Sequence, residues 1–362
     1  MSAAGLTRML LCGVLLLGMA METRAEDDEE GFDPVHHTAN GYYLDFSPIG
    51  KVELPRLFVV RTESGGYKLL GYWTTKAALR SHALVPGYEE ADEGEVHDVE
   101  ALVASGHHLD ARLVPVSGSL VIDLSITRHL MFAFLAAGLL LWAFIAMARR
   151  YARGIGRTSA PRGLLQNTLE LFIVYVRDDI AIPCMGMTHY RQFLPFLLTV
   201  FFFVITCNLL GLVPWGATAS SNINITAALA LFTFVLTQVN GSRSYWKHIF
   251  WPPDMPVAVK LLLIPTEVMG IFIKPVVLAI RLFANMTAGH LVILSLIGMI
   301  FTFSTLFGPV GGYGVAPVAV GFTLFINVLE LLIAFIQAYI FTFLSALFIG
   351  MAMVEHEHEE AH

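Results

Sequence analysis

Charge is scarce in this sequence. Of 362 residues only 14% are charged, against a hydrophobic share of 56% and a mean hydropathy of +0.66. A soluble domain carries roughly a quarter charged residues, so a water-soluble enzyme is excluded as the bulk of the chain. Basic residues form no stripe outside short flanks of apolar segments, which excludes nucleic acid as a partner. Cysteine is nearly missing. Cys12, Cys184 and Cys207 are the three present, they have no metal-ligand spacing, and inert thiols are expected. Neither a Gly-rich phosphate loop nor an H-E-x-x-H motif occurs, so nucleotide and zinc-hydrolase chemistry have no vehicle here, and no cofactor is implied. The pairs His36-His37, His107-His108 and His356/His358 lack ligand spacing and read as solvated surface.

What charge there is gathers at the ends. Seventeen of the 29 acids lie between Glu26 and Asp110, and four more are Glu355, Glu357, Glu359 and Glu360. Residues 1–25 read as a secretory signal: Arg8 supplies the positive start, Met9–Met21 the apolar core and Thr23-Arg24-Ala25 the cleavage site. Residues 26–125 then form a polar extension outside the cytoplasm. Its strand-like runs, Tyr42–Phe46, Lys51–Arg61 and Tyr67–Trp73, are separated by Gly and Pro turns, whereas Glu89–Glu100 reads as a loop. Residues 126–353 are the membrane domain and 354–362 an acidic cytoplasmic tail.

Apolar runs long enough to cross hydrocarbon occur at Leu130–Ala148, Phe193–Val213 and Ile223–Val239, followed by two longer stretches, Leu261–Phe303 and Val315–Met353. About 20 residues suffice for one crossing, so the last two must tilt, bend or lie partly along the membrane. Pro265 and Pro275 are kink sites. Arg149, Arg150, Arg153, Arg157 and Arg162 mark a cytoplasmic side after the first run, as do Arg243, Lys247 and Lys260 after the third. The links Pro214–Asn222 and Ser304–Tyr313 carry no Lys or Arg and are assigned outside. The fold class is therefore an all-α polytopic membrane protein. It has about five crossing helices, N-terminus out and C-terminus in, with a small N-terminal extramembrane domain containing some β-structure.

Residues 163–182 interrupt the pattern. Leu164, Leu165, Leu169, Phe172 and Val176 recur at helical spacing. Periodicity alone leaves two readings open: a helix on the inner membrane surface or against a partner, and a cytoplasmic linker helix.

Ionisable groups at membrane depth are costly and by default functional or paired. The fourth run carries Glu267, Lys274, Arg281 and His290, and the fifth carries Glu330 and Gln337. Glu267, Lys274 and Arg281 are spaced by seven, so they stay near one helical face, with Asn285 one turn beyond Arg281. Glu267 and Lys274 can also be read as snorkelling at the inner end, and Arg281 as a structural partner of Glu330. A guanidinium stays charged at any relevant pH, so Arg281 is a fixed cation and not a proton relay. The residues alone point to an ion-conducting membrane protein with a central fixed charge.

The segment 274–290, KPVVLAIRLFANMTAGH, closely resembles the signature of subunit a of F-type ATP synthases, K-P-x-x-L-x-x-R-L-F-x-N-M-x-A-G followed by an acid or histidine. Leu212-Val213-Pro214, Asn222-Ile223-Asn224-Ile225-Thr226, and Glu330 with Gln337-Ala338-Tyr339-Ile340-Phe341 extend the match in order, over about residues 120–353. The signal and outer domain resemble an extension found in some bacterial members.

The resemblance implies a bacterial inner-membrane stator subunit of a rotary motor that performs no bond chemistry itself. Its two long helices form a tilted hairpin against the c-subunit ring. The b-subunit peripheral stalk and the remaining ATP synthase subunits are further partners, within the lipid bilayer. It implies that His290, Asn285, Glu330 and Gln337 line an outer half-channel and Glu267, with Lys274 nearby, an inner one, while Arg281 separates them. Protons are the implied ion, with sodium a possibility set by the c subunits. Some members carry Glu at the His290 position and His at the Glu330 position, so the pair is swapped here. Some also have Ser at the Val277 position and Asp at the Asn222 position, and neither residue is assigned a relay role. The sequons at Asn285 and Asn224 lie at membrane depth and are discounted. The alternative functions are an independent proton or cation channel, a secondary transporter, or a scaffold whose polar residues only lock helices together.

Overall fold

A computed structural model describes residues 41–45, 51–62, 65–81, 83–86, 113–116, 119–156, 163–213, 218–251 and 256–353. The signal segment, the histidine pairs, the Glu89–Glu100 run and the acidic tail lie outside the described residues.

The extramembrane part is built on β3 (Arg56–Arg61), whose residues alternate between buried and half-buried, as a strand with one face on a core must. It is the centre of a three-stranded antiparallel sheet, between β4 (Tyr67–Tyr72) and β7 (Ser119–Asp123). The strands β1 (Tyr43–Asp45) and β2 (Lys51–Glu53) form one two-stranded pair, and β5 (Leu84–Pro86) and β6 (Leu113–Pro115) another. Helix α1 (Thr75–Arg80) is capped by Thr74, whose side chain accepts from the Ala77 N–H at 3.1 Å. Phe58, Val60, Ala78, Leu79, Leu84 and Leu113 make the small core. Arg56 is 1% exposed, its guanidinium 3.4 Å from the centroid of the Tyr42 ring, so a charge is buried against an aromatic face. Burial pushes the Tyr42 phenol above its ordinary range, with Asp123 adding to the shift.

Four residues join β7 to the first membrane helix, α2 (Arg128–Ala152), and they are hydrogen-bonded rather than free. The Leu57 N–H donates to Ser125 Oγ at 3.1 Å, the Arg128 N–H to the Gly41 carbonyl at 2.9 Å, and Thr127 caps the helix. The N-terminal β-domain is thus stitched directly to the first long apolar helix.

Among the described residues three helices are long and apolar enough to cross a membrane, or four if a pair bent by 100° counts as one span. They are α2, then 164–211, then α5 (Ile223–Val239) with the bent α6 (Arg243–Phe250), then α7 (Val257–Met353). The helix 164–211 comprises α3 (Leu164–Tyr175), a wider π-type turn Val176–Ala181, and α4 (Ile182–Gly211) broken at Gly186. The α7 helix is itself two limbs. Gly308 takes φ 71° and ψ −175°, a conformation open to glycine. The cross-limb pairs Lys274/Phe348, Asn285/Gln337 and His290/Glu330 all centre near residue 310, so the chain folds back as an antiparallel hairpin. Each limb, at 1.5 Å per residue, runs to roughly 65–75 Å, well beyond one perpendicular crossing.

This differs from the reading of Ser304–Tyr313 as a loop. Helix continues on both sides of Gly308, and the reversal is confined to that residue. Gly311 and Gly312 explain the tightness. A Cβ on Gly311 would lie 2.6 Å from Phe307 Cβ, and one on Gly312 3.0 Å from Ser304 Cβ.

Hydrocarbon gives little drive for helix association, so small residues and van der Waals fit must supply it. The second limb of α7 buries Ala334, Ala338, Thr342, Ala346 and Ile349 at spacings of four and three, each 0% exposed. Phe193, Leu197, Val200 and Phe201 of α4 and Ala230 of α5 complete this core. The α3 segment belongs to it too: Phe172 contacts Phe201, Phe202 and Phe335, and Tyr175 packs on Tyr339. It is therefore docked on the bundle, and a detached cytoplasmic linker is ruled out. Before α5 a short turn, Ala219–Ser221, meets both α2 and α7.

Candidate functional site

Every polar residue singled out at membrane depth sits on the α7 hairpin, and the hairpin register decides which of them meet. His290 Nδ1 on the first limb stands 3.1 Å from Glu330 Oε1 on the second. The approach requires Gly289, because a Cβ there would lie 2.9 Å from Glu330 Oε1. Glu330 is 2% exposed, and its Oε2 has no hydrogen-bond partner among the described residues. A buried carboxylate with spare acceptor capacity needs water or a cation beside it.

The other ring nitrogen, His290 Nε2, is hydrogen-bonded to the Thr218 hydroxyl, which the turn after α4 presents to the hairpin. Gly211 leaves the room for this, since a Cβ at Gly211 would collide with the Thr218 side chain. Beside them Ser220 donates to Asn208 Oδ1 at 2.6 Å, and Asn208, 0% exposed, reaches the Ala334 carbonyl. The sequence reading missed Thr218, Ser220 and Asn208. Asn208 had left a signal, as the one amide near the end of an apolar run.

Nearer mid-hairpin the Asn285 amide donates to Gln337 Oε1 at 2.8 Å. Gln337 is 1% exposed, and its Nε2 has no partner among the described residues. One turn from Asn285 lies Arg281. It is half-buried and pairs with no carboxylate among the described residues. Glu330 faces His290, so Arg281 is not the structural partner of Glu330. Val277, Ala284 and Ala288, on the same stripe of the helix, are exposed. The chain thus presents a cation on a face of apolar and small side chains.

Glu267 and Lys274 lie beyond Arg281, toward the open end of the hairpin. They share a cavity of about 300 Å³ with Thr237, Gln238, Tyr245 and His248 from α5 and α6. Lys274 does not simply reach for solvent: its Nζ is 5.5 Å from the centroid of the Phe348 ring. The sequence did not reveal Gln238, Tyr245 or His248, because only the 100° bend at residues 240–242 turns α6 across the cavity. Ser242 fixes that bend: its N–H donates to the Ala352 carbonyl at 2.8 Å, and its side chain caps α6. Asn222, left without a relay role, caps α5 through Asn224 N at 2.9 Å.

The arrangement is two polar clusters at different heights with a fixed cation between them. By helical rise, Arg281 is roughly 13 Å from the level of His290 and roughly 21 Å from that of Glu267. No group of three or more His, Cys, Asp or Glu among the described residues has a geometry able to hold a metal. Nothing in the site resembles a nucleophile set against a base. The site is suited to passing and neutralising charge.

Comparison with known proteins places these residues in context. Residues 130–350 match the family described as ATP synthase A chain. The chain is 38% identical over 339 residues to ATP synthase subunit a of Chloroherpeton thalassium, covering 92% of this chain and 81% of that protein. It is 46% identical over 248 residues to ATP synthase subunit a 2 of Prosthecochloris aestuarii, covering 66% and 73%. With ATP synthase subunit a of Anaeromyxobacter sp. the identity is 35% over 360 residues, covering 95% and 76%. The first and third of these alignments extend well into the N-terminal extension.

Proposed function

Since this chain belongs to the ATP synthase A chain family, a non-catalytic stator component of the membrane sector, we propose that its two polar clusters are half-channels serving a rotating ring of c subunits. Protons enter from the outer side past Glu330, His290, Asn285 and Gln337 and load a ring carboxylate. After nearly a full turn they leave through the cavity lined by Glu267, with Lys274 at its lip.

One observation carries this reading: Arg281 is a cation on the open apolar face with no anion beside it among the described residues. A charge at membrane depth without a counter-charge is expensive, so its partner comes from another chain. A ring carboxylate moving past it fits. Near Arg281 that carboxylate releases its proton more readily, and the fixed charge repels a proton crossing directly between the clusters. Each charge crossing the potential is worth about 2.3 kcal/mol per 100 mV, which a leak would dissipate. A self-contained channel or transporter would leave Arg281 unneutralised.

The membrane is the bacterial inner membrane. Arg149, Arg150 and Arg153 at the end of α2 favour a cytoplasmic location for that end. The outer domain and the His290 cluster then face the periplasm, and a cleaved segment 1–25 accords with this. The peripheral stalk's b subunit and the other ATP synthase subunits complete the partners. The coupling ion is the proton, because histidine at the entrance carries protons and not sodium.

The test is ATP-driven proton pumping in inverted vesicles with Arg281→Lys and Arg281→Ala at matched assembly. Both lose pumping, and the Ala form leaks passively. Normal pumping by Arg281→Lys overturns the mechanism.

A further inference from the structure

His129 is a histidine at the first turn of α2 that the site described above does not use. It is 3% exposed, and its Nδ1 is buried without a hydrogen-bond partner among the described residues. Its direction follows from its helix. His129, Ala133 and Ala136 form one buried stripe at spacings of four and three, and Ala133 and Ala136 pack against Cys207 and Ala219. His129 therefore points at the turn that holds Thr218, the residue bonded to His290 Nε2. Thr218 and Ala219 are consecutive, so the α2 stripe and His290 meet the same turn.

From this geometry we propose that His129 is a further proton carrier, standing outside His290 at the mouth of the entry path and feeding it through the Thr218 hydroxyl or an intervening water. The proposal rests on the half-channel reading. In the step, neutral His129 takes one proton from outside water and becomes imidazolium. It gives that proton to the Thr218 oxygen as the hydroxyl passes its own proton to His290 Nε2. His129 returns to neutral, the hydroxyl keeps one hydrogen, and His290 carries one proton more.

The groups facing His129 fit the task. Arg128, a fixed cation, neighbours it on α2. Cys207 on α4 is a buried thiol, the turn supplies Thr218 and Ser220, and Glu330 lies behind His290 and draws the proton inward. A histidine buried only for packing would have both ring nitrogens satisfied or shielded by apolar contacts. This one leaves Nδ1 without a partner among the described residues, on a stripe that packs against the turn following Thr218.

The experiment measures proton flux through the complete reconstituted ATP synthase as the outer pH is raised, with His129→Ala, His129→Gln and Arg281→Lys in parallel. His129→Ala loses flux by at least about tenfold at alkaline outer pH, within the reach of a positioned acid–base group, and far less at acid pH. Added imidazole restores it. His129→Gln fills the space and loses flux without rescue. Wild-type flux at every pH in His129→Gln overturns the proposal. So does a loss that is equal at every pH and indifferent to imidazole, since that marks a packing role. Normal pumping by Arg281→Lys defeats the half-channel reading itself, whereas a dead Arg281→Lys beside a normal His129→Gln defeats only the role of His129.

Discussion

Gly289 and Glu330 are in contact across the hairpin, with space at Gly289 for hydrogen and nothing larger: a Cβ would stand 2.9 Å from Glu330 Oε1. The carboxylate owes its place beside His290 to the absence of one methyl group. Gly289→Ala must displace Glu330 or spread the limbs, at about 1–3 kcal/mol for overpacking a tight contact. Gly270→Ala on the same limb meets nothing within 4 Å and serves as the control. The expected result is loss of proton pumping in the first variant, with assembly retained, and normal pumping in the second.

His290 and Glu330 act as a pair, so exchanging them tests the pair rather than either member. His290→Glu and Glu330→His each leave two like groups facing one another. The double variant restores one imidazole and one carboxylate at 3.1 Å. Its pumping is expected to exceed that of either single variant. Strictly additive losses would mean that the two sites act independently.

The Asn285–Gln337 hydrogen bond at 2.8 Å links the limbs beside Arg281. Asn285→Leu strands the buried Gln337 amide, at about 1–3 kcal/mol, whereas Gln337→Leu releases an Asn285 amide that is exposed. Asn285→Leu should lower the thermal stability of the purified complex more than Gln337→Leu, and the double variant should lose less than their sum. A coupling indistinguishable from zero would show that the bond contributes nothing to the hairpin.

In the outer domain Arg56 is 1% exposed over the Tyr42 ring, and it lies far in sequence from the hairpin. Arg56→Ala removes both packing and the cation–π contact, the latter worth about 2 kcal/mol where desolvated. Faster proteolysis of the outer domain is the expected outcome, with the membrane domain still pumping. Loss of both together would mean that the four-residue junction transmits the damage.

Tyr42 offers a spectroscopic check of the same packing. Its raised pKa means that the phenol stays protonated in the folded domain at a pH where a free tyrosine has begun to ionise. A group favoured in its protonated form contributes stability that is fully present below the unfolded value near 10 and is lost as the pH rises through the raised folded one. Of the signs involved, the measurable one is that Tyr42 ionises only at higher pH than free tyrosine, and Tyr42→Phe removes that late step from an ultraviolet titration. A tyrosine titration unchanged by Tyr42→Phe contradicts the burial.

Much of this protein was legible in one dimension. Apolar runs of about 20 residues reflect the bilayer itself, which acts on sequence before any tertiary contact forms. The strands from Tyr43 to Tyr72 could be read because alternation and turn residues are local signals, except that the single run Lys51–Arg61 divides at Leu54-Pro55 into β2 and β3 of different sheets. The seven-residue spacing of Glu267, Lys274 and Arg281 likewise follows from helical geometry alone. What the sequence left undetermined depended on the meeting of distant segments. The alternative partner for Arg281 fell only when the reversal at Gly308 set the register that brings Glu330 to His290. Thr218 and His129 joined the site because a turn and a first-helix stripe converge on the hairpin, and the inner cavity formed because α6 bends back over Glu267. Sequence by itself determined which residues are charged, amphipathic or long enough to span. Tertiary structure decided which charges are neighbours, because Coulomb and hydrogen-bond energies act over a few ångströms of space while these partners lie 40 or more residues apart along the chain.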